Sequence, residues 1–81
     1  MYKNKNGNRN NIVGLAIRRF RTSQKPKMSQ RALAERMQLE GIDLDKNAIQ
    51  RIESGQRFIT DIELIAFSRV FDVSVADLYN M

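Results

Sequence analysis

The chain has no cysteine, no histidine and no tryptophan, and one proline among its 81 residues. Without cysteine there is neither a disulfide nor a thiol nucleophile, and without histidine the commonest general base is missing; together the two absences remove the usual zinc ligands. The redox compartment is left open by the lack of cysteine. Long apolar runs are also missing. The longest, IVGLAI, is interrupted by Gly14 and falls far below the roughly 20 residues of a membrane span, and no secretory leader pattern precedes it. The expectation is a soluble, cytoplasmic protein. A chain this short makes one domain, which buries only about 60% of its unfolded surface, so an extended active-site cleft is not expected. No nucleophile, base and orienting group can be assembled from these residues, which points to a protein that is not an enzyme and needs no cofactor and no metal.

What the chain does have is an uneven charge. Residues 1–31 hold nine Lys or Arg and no acid, whereas residues 32–81 hold five Lys or Arg against nine Asp or Glu, a local balance of minus four within a net charge of +5. A strongly basic end is a surface for a polyanion, or a solvated tail that aids solubility. MYKNKNGNRNN, residues 1–11, is rich in Asn and Lys and low in hydrophobicity, and reads as a flexible basic arm. The domain proper then spans 12–79, with 80–81 as its end.

From Ile12 the pattern becomes helical, with Val13, Ala16, Ile17 and Phe20 on one stripe and Arg18, Arg19 and Arg21 around it. TSQKPKM reads as a loop, extended before Pro26. Four further starts each place a capping residue between a hydrophobic residue and another five positions after that one, the hydrophobic staple. They are Met28-Ser29 with Leu33, Leu44-Asp45 with Ile49, Ile59-Thr60 with Leu64, and Val73-Ser74 with Leu78. Thr60 with Glu63 and Ser74 with Asp77 add the reciprocal carboxylate of a capping box. The expectation is an all-α chain of five helices without a sheet. The fourth, DIELIAFSRVF, is apolar around most of its circumference, which predicts a scaffold helix in the middle of the bundle, with Asp72 in the left-handed turn at its end.

One stretch, NAIQRIESGQR at 47–57, separates its residues by chemistry. Ile49 and Ile52 share one face, Asn47, Gln50, Arg51 and Ser54 fall on the other, and Gly55 ends the helix. Amide side chains bond the N7 and N6 edge of adenine bidentately, and arginine does the same to O6 and N7 of guanine, so an exposed Asn47, Gln50 and Arg51 form a face able to read bases. An ordinary polar helix exterior is the alternative. Arg57, just past the helix, suits a phosphate.

VGLAIRRFR, SQRALAERM, NAIQRIESGQR and LIAFSRVFDVSVADL resemble, in order and over residues 12–79, the helix-turn-helix domain of the Cro and phage-repressor type, the XRE family. The most specific pieces are Ser29-Gln30 followed by Leu33-Ala34, and the run from Ile49 to Arg57. The resemblance implies a compact five-helix bundle of the lambda-repressor-like type, a helix-turn-helix formed by helices 2 and 3, and a sequence-specific regulator of transcription, expected to repress, that binds double-stranded DNA with helix 3 in the major groove. It implies base reading by Lys46, Asn47, Gln50 and Arg51, backbone contacts by Ser29, Gln30, Arg31 and Arg57, and a structural ion pair between Arg21 and Glu53.

Two departures stand out. The loop between the first two helices is about two residues longer than the family pattern, and MQLEGIDLD, between helices 2 and 3, about five. Helix 2 is expected to run on to Glu40 and stop at Gly41, with Ile42 and Leu44 returning to the core. Asp45 is then a cap, while Asp43 would repel phosphate if it faced the duplex. A protein-interaction module on the same fold is the other functional reading. Because one short helix reads few base pairs, a homodimer is expected, through the last helix by way of Val75, Tyr79 and Met81.

Overall fold

A computed structural model describes residues 7–80, which form five α-helices and no strand. They are α1 Gly14–Thr22, α2 Gln30–Leu39, α3 Lys46–Ser54, α4 Asp61–Phe71 and α5 Val75–Tyr79. The all-α, five-helix expectation holds, and the reason is local. Ser29, Asp45, Thr60 and Ser74 each sit in extended backbone ahead of their helix, and each side chain accepts a hydrogen bond from the N–H three residues on. Each such bond satisfies one of the donors that a helix start leaves without an intrahelical partner. At α4 the Glu63 carboxylate accepts the Thr60 N–H at 3.0 Å, and at α5 the shorter Asp77 side chain accepts the Ser74 N–H at 3.1 Å.

The stops are local as well. Gly41, Gly55 and Asp72 end α2, α3 and α4 in the left-handed region, with φ of 84°, 86° and 56°. After Gly41 the Ile42 N–H returns to the Met37 carbonyl at 3.0 Å, so the long connection folds back at once; Leu44 is buried and Ile42 packs against the core. The largest fully buried side chains of the core are Ile17, Leu33, Met37, Ile49, Ile52, Phe67 and Leu78, with Phe20 and Phe71 stacked 5.6 Å apart at its edge. α3 packs against α1 and α2, and α4 against α1, α2 and α5. No helix among the described residues is long and apolar enough to cross a membrane.

Three details differ from the sequence reading. First, α1 begins at Gly14 rather than Ile12. A Cβ on Gly14 would lie 2.1 Å from the Ile52 carbonyl oxygen, so the glycine that interrupts the apolar run is what lets α1 lie against α3. Second, α4 is not enclosed. Ile62 and Ile65 are 66% and 47% exposed, because its neighbours α1, α2 and α5 cover the face carrying Ala66, Phe67, Val70 and Phe71 and leave the opposite one to solvent.

Third, the flexible arm does not extend over residues 9–11. The Asn10 N–H donates to the Gly55 carbonyl at 2.7 Å, and the side chains of Arg9, Asn10 and Asn11 all bond backbone carbonyls at the end of α3. The last carbonyls of a helix have no intrahelical partner, and a polar Asn/Arg segment that composition marks as unable to form a core supplies the donors they need. Residues 1–6 of the expected arm lie outside the described residues.

Candidate nucleic-acid interface

α3 divides all but one of its nine residues, the half-buried Ala48, between two faces. Ile49, Ile52 and Glu53 are buried, while Lys46, Asn47, Gln50, Arg51 and Ser54 are all exposed. The first turn is held by Asp45, whose carboxylate accepts the Ala48 N–H at 2.8 Å, and the last by Gly55, whose N–H reaches the Ile52 carbonyl at 3.1 Å. The four residues expected to read bases therefore share the solvent side of one rigid turn-to-turn surface.

Three shallow hollows flank that surface. One, between α2 and the start of α3, brings Arg31 together with Lys46 and Asn47. A second is shared by Gln50 and Ser54 of α3, Gln30 of α2 and Arg18 of α1. A third carries Asp43, Ala48, Arg51 and Arg57. Arg18 was not among the sequence-derived site residues. Its exposure next to Gln50 follows from α1 crossing α3, a tertiary relation; the only sequence signal was its position off the apolar stripe. Asp43, brought in by the long connection, shares its hollow with two arginines.

The buried Glu53 organises the site from beneath. Its carboxylate accepts from Arg21 Nε at 2.6 Å and Nη2 at 2.9 Å, and from the Gln30 amide at 3.1 Å. Arg21 Nη1 also donates to the Met28 carbonyl at 3.0 Å, so one guanidinium ties the end of α1 to the entry of α2 and to α3. Planar bidentate pairing of this kind fixes orientation as well as distance. Among the described residues no buried side-chain nitrogen or oxygen lacks a partner.

Gln30 and Arg57, both expected at the DNA backbone, have partners within the protein. The Gln30 amide spends one of its two N–H donors on Glu53. Arg57 is bidentate with Glu63, with both N–O distances at 2.9 Å, and donates again to the Phe58 carbonyl. Hydrogen bonding to Glu63 raises the Arg57 pKa above its ordinary value against the effect of burial. For Glu63, burial is the largest influence and acts upward, but the bonds from Arg57 and from the Thr60 N–H together outweigh it and hold the carboxyl below the usual carboxylate range. Among the described residues three of the five guanidinium donors of Arg57 are thus engaged and two remain. Ser29 accepts the Ala32 N–H at 3.0 Å, at a helix start whose free N–H groups and dipole favour an anion.

A family model described as helix-turn-helix matches residues 17–78. Comparison with curated proteins and with solved structures yields no match.

Proposed function

The chain belongs to the helix-turn-helix family of the Cro and phage-repressor (XRE) type, a family of DNA-binding regulatory domains, and on that premise we propose that it is a sequence-specific regulator of transcription that lays α3 in the major groove and represses by occupying its site. The observation that carries this reading is the α3 surface: Lys46, Asn47, Gln50 and Arg51 are exposed together, on a helix whose opposite face is fixed by Ile49, Ile52 and Glu53. Amide and guanidinium groups at those positions have the donor and acceptor pattern for adenine and guanine edges, with Lys46 as a further donor to guanine.

The backbone contacts in this reading come from around α3. Ser29, Gln30 and Arg31 offer a phosphate the helix start of α2, an amide and an exposed guanidinium. Arg18 reaches the same strand beyond Gln50. Arg57 contributes through the two donors that Glu63 and Phe58 leave over, as a hydrogen-bonding cation whose charge Glu63 already matches.

A homodimer is part of the proposal, since two copies related by a two-fold axis read a palindrome with half-sites about 34 Å apart. Tyr79 of α5 is 50% exposed, and it shares a hollow with Ile12, itself 56% exposed, which supports α5 and the segment just before α1 as the apolar contact; Val75 is half-buried, and Met81 lies outside the described residues. Selection of bound sequences from a random duplex pool at stated salt tests function and stoichiometry together. A two-fold symmetric motif is the expected result. Weak binding without any enriched sequence, abolished by moderate salt, overturns base reading and favours a protein-interaction module instead.

A further inference from the structure

We infer that Arg9, Asn10 and Asn11 act as a clasp that holds the C-terminal end of the reading helix, and that Arg9 is a positioning residue for sequence discrimination. These residues precede the family-matched region, which begins at residue 17, so nothing in the helix-turn-helix itself requires them.

Five carbonyls around the end of α3 take donors from this segment. Arg9 Nη2 donates to Glu53 O at 2.9 Å and to Ile52 O at 3.5 Å. Asn11 Nδ2 donates to Ile52 O at 2.9 Å and to Arg57 O at 2.8 Å. Asn10 supplies its N–H to Gly55 O at 2.7 Å and its side chain to Gln56 O at 2.8 Å. Asn11 Oδ1 meanwhile accepts the Gly14 N–H at 2.8 Å, which ties the same clasp to the start of α1. A guanidinium at this place also faces the negative end of the α3 dipole.

Two glycines are shaped around Arg9. A Cβ on Gly55 would lie 2.8 Å from Arg9 Cζ and 2.9 Å from its Cγ, and one on Gly14 would lie 2.7 Å from Arg9 Nη2. The guanidinium therefore occupies a slot that only side-chain-free backbone leaves open on both sides. Glu53 is consequently gripped twice: its carboxylate by Arg21 and Gln30, and its carbonyl by Arg9. A helix of nine residues pinned at one end can still tilt about that end. The Asp45 end of α3 is anchored by Leu44 in the core; at the other end the clasp adds to Ile52 in the core and to the bonds on the Glu53 carboxylate, and with them sets the angle at which Asn47, Gln50 and Arg51 meet a groove.

This inference rests on base reading by α3, and its test separates the two. The full-length protein and its Arg9→Ala, Arg9→Lys and Asn10→Ala variants are titrated, over a series of salt concentrations, with the duplex preferred by the unsubstituted protein and with a scrambled duplex. Amide hydrogen exchange is followed in α3 and α4. Arg9→Ala is expected to weaken the preferred duplex about three- to tenfold, the worth of one or two hydrogen bonds, to weaken the scrambled duplex less, and to leave the salt slope unchanged. Exchange should quicken in α3 more than in α4. Arg9→Lys should restore part of the discrimination, and Asn10→Ala, at a more exposed bond, should shift it in the same direction by less, which keeps the test intact if Arg9→Ala folds poorly. A salt slope lowered by about one unit with discrimination unchanged would make Arg9 a phosphate ligand and overturn the inference, as would equal quickening of exchange in both helices. If the unsubstituted protein prefers no sequence, base reading fails, and with it the role in discrimination; the exchange comparison then decides whether the clasp holds α3.

Discussion

At the seam between α1 and α3, the Arg21 and Glu53 side chains are 13% and 5% exposed; at the corner between α3 and α4, Arg57 and Glu63 are 33% and 9% exposed. Both pairs are bidentate. The seam pair joins residues 32 apart in sequence and the corner pair residues 6 apart. The corner can close with little more than a turn and the first residues of α4 in place, since Glu63 already serves the Thr60 capping box. The seam cannot, because its partners meet only when α1 is packed on α3. The same chemistry is thus a tertiary lock in one place and a local brace in the other. Desolvation is the reason their energetic weight differs: a nearly buried charge stripped of its partner has no water to replace it.

The largest effect is expected at the seam. Glu53→Ala should destabilise the fold by about 3 kcal/mol, and replacing Arg21 and Glu53 together with apolar residues should cost clearly less than the sum of the two single changes. Denaturant unfolding of the singles and the double measures this. Small, additive costs would erase the distinction from the corner.

Next in size is Arg51→Ala, on the α3 surface that both braces serve. Binding to the preferred duplex should fall by about 1–3 kcal/mol, with discrimination relaxed at one base position and affinity for a scrambled duplex changed far less. Asn47→Ala and Gln50→Ala should behave alike at other positions, and Ser54→Ala should be nearly silent. Equal losses on both duplexes would reduce the α3 surface to an electrostatic one.

The corner should matter less to stability and more to its pH dependence. Because the Glu63 carboxyl is held below its unfolded value of 4.5, the unfolded chain takes up its proton first as pH falls. The contribution of Glu63 is therefore complete above 4.5 and is lost as the pH drops through the lower folded value. Glu63→Gln should flatten the fall in stability on the acid side and cost about 1 kcal/mol near neutrality. Denaturant midpoints measured across the acid range would show it, and an unchanged acid slope would contradict the assignment.

The smallest effect sharpens the comparison most. Arg31→Ala, which removes a cation that has no carboxylate partner among the described residues, should lower the salt slope of log K by about 0.9. For Arg57→Ala the slope should move by much less, because its charge is already matched by Glu63. A full unit for Arg57 would mean that it abandons the corner for a phosphate on binding.

Helix existence, helix ends and the face of α3 were legible in the sequence because their causes lie within a few residues. A cap accepts from the third N–H beyond it, a left-handed residue ends a helix at its own position, and a hundred-degree step sends Gln50 and Arg51 away from Ile49 and Ile52. The Arg21 to Glu53 pairing came only by family resemblance, since spacing alone does not join residues so far apart. Residues 9–11 were misread because composition reports the ability to form a core, whereas Arg9, Asn10 and Asn11 bond backbone carbonyls that no hydropathy pattern displays. The apolar circumference of α4 likewise concealed which side would stay open.

The sequence by itself determined five helices, four of them capped by a side chain, the stops of α2, α3 and α4, and a polar face on α3, all products of local hydrogen bonding and periodicity. The tertiary structure alone decided that Arg18 lies beside Gln50 and that the segment before α1 closes over Gly55. Those outcomes depend on how helices cross and on which polar groups are left without partners once they do, quantities that arise only when the core has packed.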